Sequence, residues 1–433
     1  MRTAGWLLPL LLAAPALAGT RVVVQNNTPH TWRVRLEAPS RADVRVQPIG
    51  PAARATALLL HDPGDATATV RASITGGPGR LGVRFVLGGG AVRFGFGEGV
   101  LVRLGSDETR TTRVGAVEVV LRTRDREVIE LALWEAPPAP AETGPDELSV
   151  LAWNVWLRPT TLFANAQRER VRRMADLVAG HDVLVLSEAF DDDEREVLLE
   201  ALRPRFPYAS RVVGKDKFLA QDGGVIVVSR WPITAQAQEV YRDYSGSDAH
   251  ADKGVIWVRI EKQGRRWNLL GTHLQAGAEA QAAKVEVRAR QLRQLAAFLQ
   301  ARGIPADEPV LLAGDLNVDL RAGPGGALGA EMTRMLELVG AARLPLAGPL
   351  RFTYDAALDP LASEQVREHL DHVLVSRAHA PLEGSARVLA LRSREPFRLG
   401  GRWSWDLSDH FAVAARVRLA TPARGLVAGL EER

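Results

Sequence analysis

Between Thr20 and Trp134 the apolar positions come in short runs broken by polar residues. Arg21-Val22-Val23-Val24, Thr31-Trp32-Arg33-Val34-Arg35-Leu36 and Val114 to Leu121 are rich in β-branched residues or alternate with arginine. A period of two predicts strands with one covered face. Gly76-Gly77-Pro78-Gly79, Gly88-Gly89-Gly90 and Gly105-Ser106-Asp107 punctuate these runs as turns. No helical period appears, so residues 20–136 are expected to form a small all-β domain, with a sandwich as the expected form. The run Pro137-Pro138-Ala139-Pro140 through Pro145 reads as a semi-rigid, Pro-rich linker over 137–146.

After the linker the texture changes. Leu148 to Trp153 predicts a strand ending at Asn154, and Val183 to Ser187 a buried strand ending at Glu188. Val171, Met174, Ala175 and Val178 have helical spacing within Gln167 to Ala179, and Glu194 to Leu202 predicts a second helix. Gly224 to Ser229, Val255 to Ile260, Trp267 to Gly271 and Val310 to Leu312 read as strands. Val285 to Gln300 is a long amphipathic helix with Leu292, Leu295 and Leu299 on one face, and Val373 to Ser376 and Phe411 to Val417 are late strands. This mixed order predicts an α/β sandwich of two sheets flanked by helices over 147–420, with 421–433 as a C-terminal tail.

Composition narrows the picture. With 433 residues and 46% hydrophobic content, two domains with substantial cores are expected. The net charge of +4 is carried almost entirely by arginine, which permits attraction to phosphates without demanding nucleic acid. There is no cysteine, so disulfides and thiolate metal sites are excluded. Met1-Arg2, the apolar run Trp6 to Leu12 and Ala16-Leu17-Ala18 have the layout of a cleaved export signal over residues 1–18, so a secreted or periplasmic product is expected. The apolar run is too short to span a bilayer.

The polar residues that follow these strands carry the chemistry. Asp315 and Asn317 stand just past Val310-Leu311-Leu312, and residues two apart on an extended chain face the same side. A carboxylate and an amide carbonyl suit a hard, oxygen-seeking cation such as Mg²⁺. Asp409-His410, before another strand, adds a carboxylate and an imidazole able to act as a base near neutral pH. Asn154, Glu188 and His273 also lie at strand ends, where α/β sites are assembled. Each alone is ordinarily a turn residue or a satisfied histidine; together they point to metal-assisted phosphoester hydrolysis.

Residues 148–418 resemble the endonuclease/exonuclease/phosphatase superfamily, the DNase I-like fold. The resemblance rests on Asn154 after the first strand, Glu188 after the second, Gly314-Asp315-Leu316-Asn317, Asp371 before an apolar strand, and Ser408-Asp409-His410. Within it, Glu188-Ala189-Phe190-Asp191, Asp222-Gly223-Gly224 through Ile233, Asp252-Lys253-Gly254-Val255, Gly271-Thr272-His273-Leu274-Gln275-Ala276 and Tyr354-Asp355-Ala356 through Leu374 are similar to secreted bacterial neutral sphingomyelinases. Residues 20–140 lie outside the resemblance, the loop between Tyr208 and Asp222 is short, and the family's cysteines are missing.

The resemblance implies a DNase I-like four-layer α/β sandwich behind the all-β domain. It implies a phosphodiesterase that cleaves sphingomyelin to ceramide and phosphocholine with Mg²⁺, or another divalent cation such as Mn²⁺ or Co²⁺. Glu188, Asn154 and Asp409 would hold the metal. His410 would be the base, oriented by Asp371; Asp315 and Asn317 would position water and phosphoryl oxygens, and His273 would donate to a non-bridging oxygen. Lys253 and Asp222 are weaker substrate-binding candidates, since a lone Lys before a strand and Asp-Gly-Gly are commonly surface and turn features. The expected partner is a phospholipid membrane surface bearing sphingomyelin. No nucleic acid and no protein partner are implied. The competing readings are a nuclease, which calls for a large basic face, a phosphoinositide phosphatase, and a surface-binding protein with a relic catalytic domain.

The stretch between Ser376 and Ser408 holds Phe397, Leu399, Trp403 and Trp405 interleaved with Arg392, Arg394, Arg398 and Arg402. In the sphingomyelinases this position is similar to that of an aromatic hairpin that dips into the bilayer. Phe397 and Trp403 are the expected membrane contacts, and Trp405 is expected in the core.

Overall fold

The computed structural model describes residues 20–420 apart from 38–40, 46, 62–65, 89–90, 106–107, 126–127, 136–142, 161–162, 216–220, 278–280 and 321–326. The export signal, most of the linker and the C-terminal tail therefore lie outside the described residues. The chain divides into two compact units, Met1–Ala136 and Pro137–Arg433.

The described part of the first unit is all strand and turn. A six-stranded and a five-stranded sheet enclose a core that includes Val24, Trp32, Phe85, Phe94, Leu121 and Leu131. Gly76 pairs with Gly79 across the expected turn at Gly77-Pro78. The expected strand from Val114 to Leu121 is two strands, Thr109–Val114 and Val117–Asp125. Gly115, at φ 59°, turns the chain between them, a conformation in which a side chain is strained.

The second unit is a four-layer α/β sandwich. Its seven-stranded sheet runs in the order Tyr208–Ala209, Ile226–Ser229, Val183–Ala189, Glu147–Leu157, Ala412–Leu419, Leu382–Leu389, Leu346–Ala347. The six-stranded sheet runs Ile233–Val240, Gly254–Lys262, Arg265–His273, Val310–Asp315, Asp371–Ser376, Ala341–Arg343. Alternate residues such as Val150, Ala152, Val185, Ile256, Leu311 and Val413 fill the space between the sheets. The other residues of the first sheet, Trp153 and Leu184 among them, meet Val171, Met174, Leu198 and Leu202 of the Gln167–Met174 and Asp192–Leu202 helices. Leu270 and Leu312 of the second sheet meet Leu292, Leu295, Met332 and Met335 of the Ala282–Gln300 and Ala330–Leu338 helices. Strands covered on both faces read as continuous apolar runs, and that is why they are conspicuous in the sequence.

Strand direction gathers the polar residues. Glu147–Leu157 is parallel to Val183–Ala189, and Arg265–His273 is parallel to Val310–Asp315. Asp371–Ser376 and Ala412–Leu419 run antiparallel to their neighbours in these sheets. Residues following the parallel strands and residues preceding the antiparallel ones therefore share one edge of the sandwich.

Candidate active site

Asp315 stands at the centre of that edge. It ends its strand in register with His273 on one side and Asp371 on the other. Its approach requires Gly314, whose φ is 136° and where a Cβ would lie 2.0 Å from the Thr272 carbonyl oxygen. Across the sandwich, Asn154 donates from Nδ2 to Asp315 Oδ2 at 3.0 Å. Burial and the Asp371 charge push the Asp315 carboxyl up to about 7, against the opposing pull of His410, Asn154 and Lys253.

His410 and Asp371 form a buried pair, with Nδ1 2.7 Å from Asp371 Oδ2. Thr353 Oγ1 accepts from the Leu370 and Asp371 amides, and the Tyr354 ring stands edge-on to His410 with centroids 5.2 Å apart. Burial favours the neutral ring, but Asp371, Asp315 and Asp409 outweigh it and hold the His410 pKa well above the usual value. Ligand-capable atoms of Asp315, Asp371 and His410 all lie within 4.8 Å of one another.

His273 is held in the opposite state. Burial, then Lys253 and His410, pull its pKa well below the usual value, so its ring is neutral. Lys253 Nζ lies 3.0 Å from His273 Nε2, 2.7 Å from Asp248 Oδ2 and 3.0 Å from the Leu274 carbonyl. An ammonium only donates. Nε2 therefore accepts, and the ring proton belongs on Nδ1, a buried atom with no partner among the described residues. These three acceptors match the three N–H bonds of Lys253, so its charge reaches the site through His273.

Glu188 is half-buried at φ 54°, and its carboxylate has no hydrogen bond or ion pair among the described residues. Burial and the charge of Glu188 push the Asp409 carboxyl up to about 7, against His410 and Arg170. An acid whose charge its acidic neighbour disfavours, with carboxylate and amide oxygens at this edge and no thiolate in the chain, has the chemistry of a hard-cation site. Asn154, which receives the Trp156 amide on Oδ1 at 3.1 Å, stands within this edge through Asp315.

Some expectations change. The alternation that would aim Asn317 and Asp315 alike fails, because Asn317 takes φ 51°. Its amide caps Asp315 Oδ1 at 3.0 Å, while its Nδ2 reaches the Leu274 carbonyl at 3.2 Å. Asp222 is buried, accepts from the Gly224 amide at 2.8 Å and pairs with Arg195 at 2.9 Å. Phe397 is not a membrane tip. It is 3% exposed in the core beneath the Gln167–Met174 helix, with the Arg173 guanidinium 5.4 Å from its ring. Trp403 is half-buried on the same hairpin, and Trp405 is buried as expected.

Arg170 escapes the sequence reading. Fully buried, it donates to the carbonyls of Val155, Trp156, Asn165 and Leu407 and to Asn165 Oδ1. Burial lowers its pKa to about 10, while Asp409 and Glu188 favour its charge. It lies on the same helical stripe as Met174 and Val178, and a charge on an apolar stripe is the signal that could have revealed it.

The profile of the Endonuclease/Exonuclease/phosphatase family matches residues 151–410. The chain belongs to this family. It is 34% identical to the crystal structure of sphingomyelinase C from Streptomyces griseocarneus, with a TM-score of 0.56 over 62% of this chain and 99% of that one. A Staphylococcus aureus beta toxin variant with bound magnesium ions is 26% identical, with a TM-score of 0.56 over 62% of this chain and 99% of that one. Sphingomyelinase C 2 of Leptospira interrogans is 31% identical across 62% of this chain, and the chain spans only 45% of that protein's length. The second unit therefore has the DNase I-like fold, and its likenesses include bacterial sphingomyelinases.

Proposed function

We propose that the chain is a divalent-cation-dependent phosphodiesterase that hydrolyses sphingomyelin to ceramide and phosphocholine. The observation that carries this reading is the pair of histidines in opposite states across Asp315: His410 drawn to the charged form and His273 to the neutral form. Environments that push like groups apart mark acid–base roles. The likeness to proteins named sphingomyelinase C supports the choice of lipid.

Glu188 and Asp409 would hold the cation, with Asn154 beside them; Mg²⁺ fits, as do Mn²⁺ and Co²⁺. Bound there, the cation would supply Lewis-acid stabilisation of charge on the phosphate and the leaving alkoxide. His410 would take a proton from the attacking water as the new phosphorus–oxygen bond forms and the bond to ceramide oxygen breaks. The departing ceramide oxygen would take a proton from solvent water and His410 would return its own to solvent, so the net change is the addition of one water across the broken bond. Three carboxylates favour the charged His410 ring, so it accepts the proton of the attacking water only when their charge is offset, as by cation binding. Asp371 would orient the ring, Asp315 and Asn317 would fix the water and phosphoryl oxygens, and His273 would donate to a non-bridging oxygen. Export by the Met1–Ala18 segment belongs to the same reading.

The test uses the full chain with sphingomyelin, phosphatidylcholine and DNA as parallel substrates, with Mg²⁺ or chelator. Turnover of sphingomyelin alone, abolished by chelator, is expected. Cleavage of DNA without lipid turnover would replace this reading with the nuclease one.

A further inference from the structure

The outer face of the five-stranded sheet in the N-terminal unit is an array of arginines. In spatial order its strands are Arg33–Leu36, Ala68–Gly76, Gly79–Gly88, Ala91–Phe96 and Val102–Arg103. One face packs inward through Val34, Val70, Val83, Phe85, Phe94 and Val102. Side chains alternate between faces. The other face therefore presents Arg33 and Arg35 from the first strand, Arg71 from the second and Arg80 and Arg84 from the third, then Arg93 and Arg103 from the last two.

Register brings these charges together. Arg71 lies opposite Arg84, Arg93 lies opposite Arg103, and Thr75 separates Arg33 from Arg80. Like charges directly opposite each other destabilise a sheet, so the folding of this unit does not account for the arrangement. Glu37 pairs with Arg80, and Glu98 reaches both Arg71 and Arg84. Seven arginines less two glutamates leave five positive charges on one face, more than the +4 of the whole chain. Arg33, Arg35 and Arg93 are exposed and make no ion pair among the described residues. Arginine is the common cation throughout this chain, so the information lies in its placement on one face.

The remaining outward positions select the partner. Thr69, Thr75, Gly82 and Val86 separate the arginines at the surface, while Ser73 and Gly95 lie covered on the same side of the sheet. No aromatic ring stands among them, so the face lacks the stacking platform that holds nucleic-acid bases. Five strands at about 4.8 Å spacing make a face roughly 20 Å wide, which suits a surface of phosphates. At its rim Val100, 74% exposed, projects from the turn that crosses over Gly95. An apolar tip beside a basic face matches an interfacial membrane contact.

We propose that this face docks on an anionic phospholipid bilayer. The proposal rests on the sphingomyelinase reading only in choosing a bilayer over a soluble polyanion. The test is co-sedimentation of the full chain, in chelator, with phosphatidylcholine vesicles lacking or containing phosphatidylglycerol. No sphingomyelin is present, so failure here leaves the hydrolytic reading untouched. Binding should require the anionic lipid and fall as salt rises. The R33E, R35E, R93E triple variant should bind at least about tenfold more weakly, with unchanged melting temperature and unchanged turnover of a soluble phosphodiester. Equal binding to both vesicle types, or undiminished binding by the triple variant, would overturn the proposal. Tight, salt-sensitive binding to duplex DNA without vesicle binding would also overturn it and make nucleic acid the partner of this face.

Discussion

Arg170 shows how one residue joins folding to chemistry. Its guanidinium ties the chain just after Asn154, through the Val155 and Trp156 carbonyls, to Leu407, two residues before Asp409. It also places a fixed positive charge near Asp409 and Glu188. Arg170→Met should leave these carbonyls unpaired and cost about 3 kcal/mol of stability, the scale for breaking a buried charged network. It should also weaken the rise in melting temperature that Mg²⁺ gives the wild type, because the loops bearing the proposed ligands lose their tie. A variant with wild-type stability and wild-type Mg²⁺ stabilisation would remove this role. Glu188→Ala makes the complementary case: no partner is lost, so the fold should stand while the Mg²⁺-induced shift and most turnover disappear. Full turnover by this variant in chelator would end the metal reading. His410→Ala should lower kcat by about 10²–10⁴, the usual contribution of a general base, with the Mg²⁺-induced shift retained. A loss within tenfold would point to another base.

At the scale of elements, apolar runs with polar endings were legible because buried strands leave little choice of residue. The ends of Val183–Ala189 and Val310–Asp315 could be read for this reason, and with them Glu188 and Asp315. Half-exposed elements were not. Ile233–Val240 is an edge strand with no fully buried residue, so its sequence carries no clean alternation. Ala330–Leu338 is short and has no side-chain cap. Direction within an element was the other failure, since left-handed backbone at Asn317 and Glu188 reorients side chains without a glycine to announce it. Phe397 failed differently: its hairpin alternates arginine with aromatics, and periodicity alone does not tell which face meets the core. Phe397→Ala should therefore cost about 3–5 kcal/mol and reduce activity on soluble and vesicle substrates alike. Trp403→Ala, which changes a half-buried ring under Arg398, should lower activity on vesicles alone. Loss confined to vesicles for Phe397→Ala would restore it as a membrane contact.

For the molecule as a whole, buried histidines and raised carboxyls set opposing responses to acid. Burial keeps His181 neutral, with its pKa lowered to about 4, and burial likewise lowers His372 to about 3 and His273 well below the usual value. The unfolded chain takes up protons at these positions near 6.5 and the folded chain does not. Their stabilisation is thus complete above 6.5 and is lost as pH falls from there toward the folded values. His410 has the opposite sign: its raised pKa adds stability that is complete below 6.5 and is lost as pH rises through the folded value. The raised carboxyls of Asp315, Asp409, Asp359 and Glu368 gain stability as pH falls from their folded values toward the usual carboxylate range, whereas the three buried rings lose it. Asp182 acts in the same direction as the rings at lower pH. Burial would raise its carboxyl, but hydrogen bonds from Trp231, Ser149 and Thr143 and the charge of Lys262 hold it below the usual value, so its stabilisation is lost only under stronger acid. The sign of the wild-type curve is therefore a balance of opposed groups, and the histidine share is read from the urea midpoint of a variant against that of the wild type between neutral pH and about pH 4.5. His181→Asn should lower the midpoint throughout, through loss of the 3.0 Å contact with Ser149, and the gap to wild type should narrow as pH falls below 6.5, because one group that loses stability on acidification is gone. A gap that stays constant or widens below 6.5 would show that the buried His181 ring does not govern acid stability.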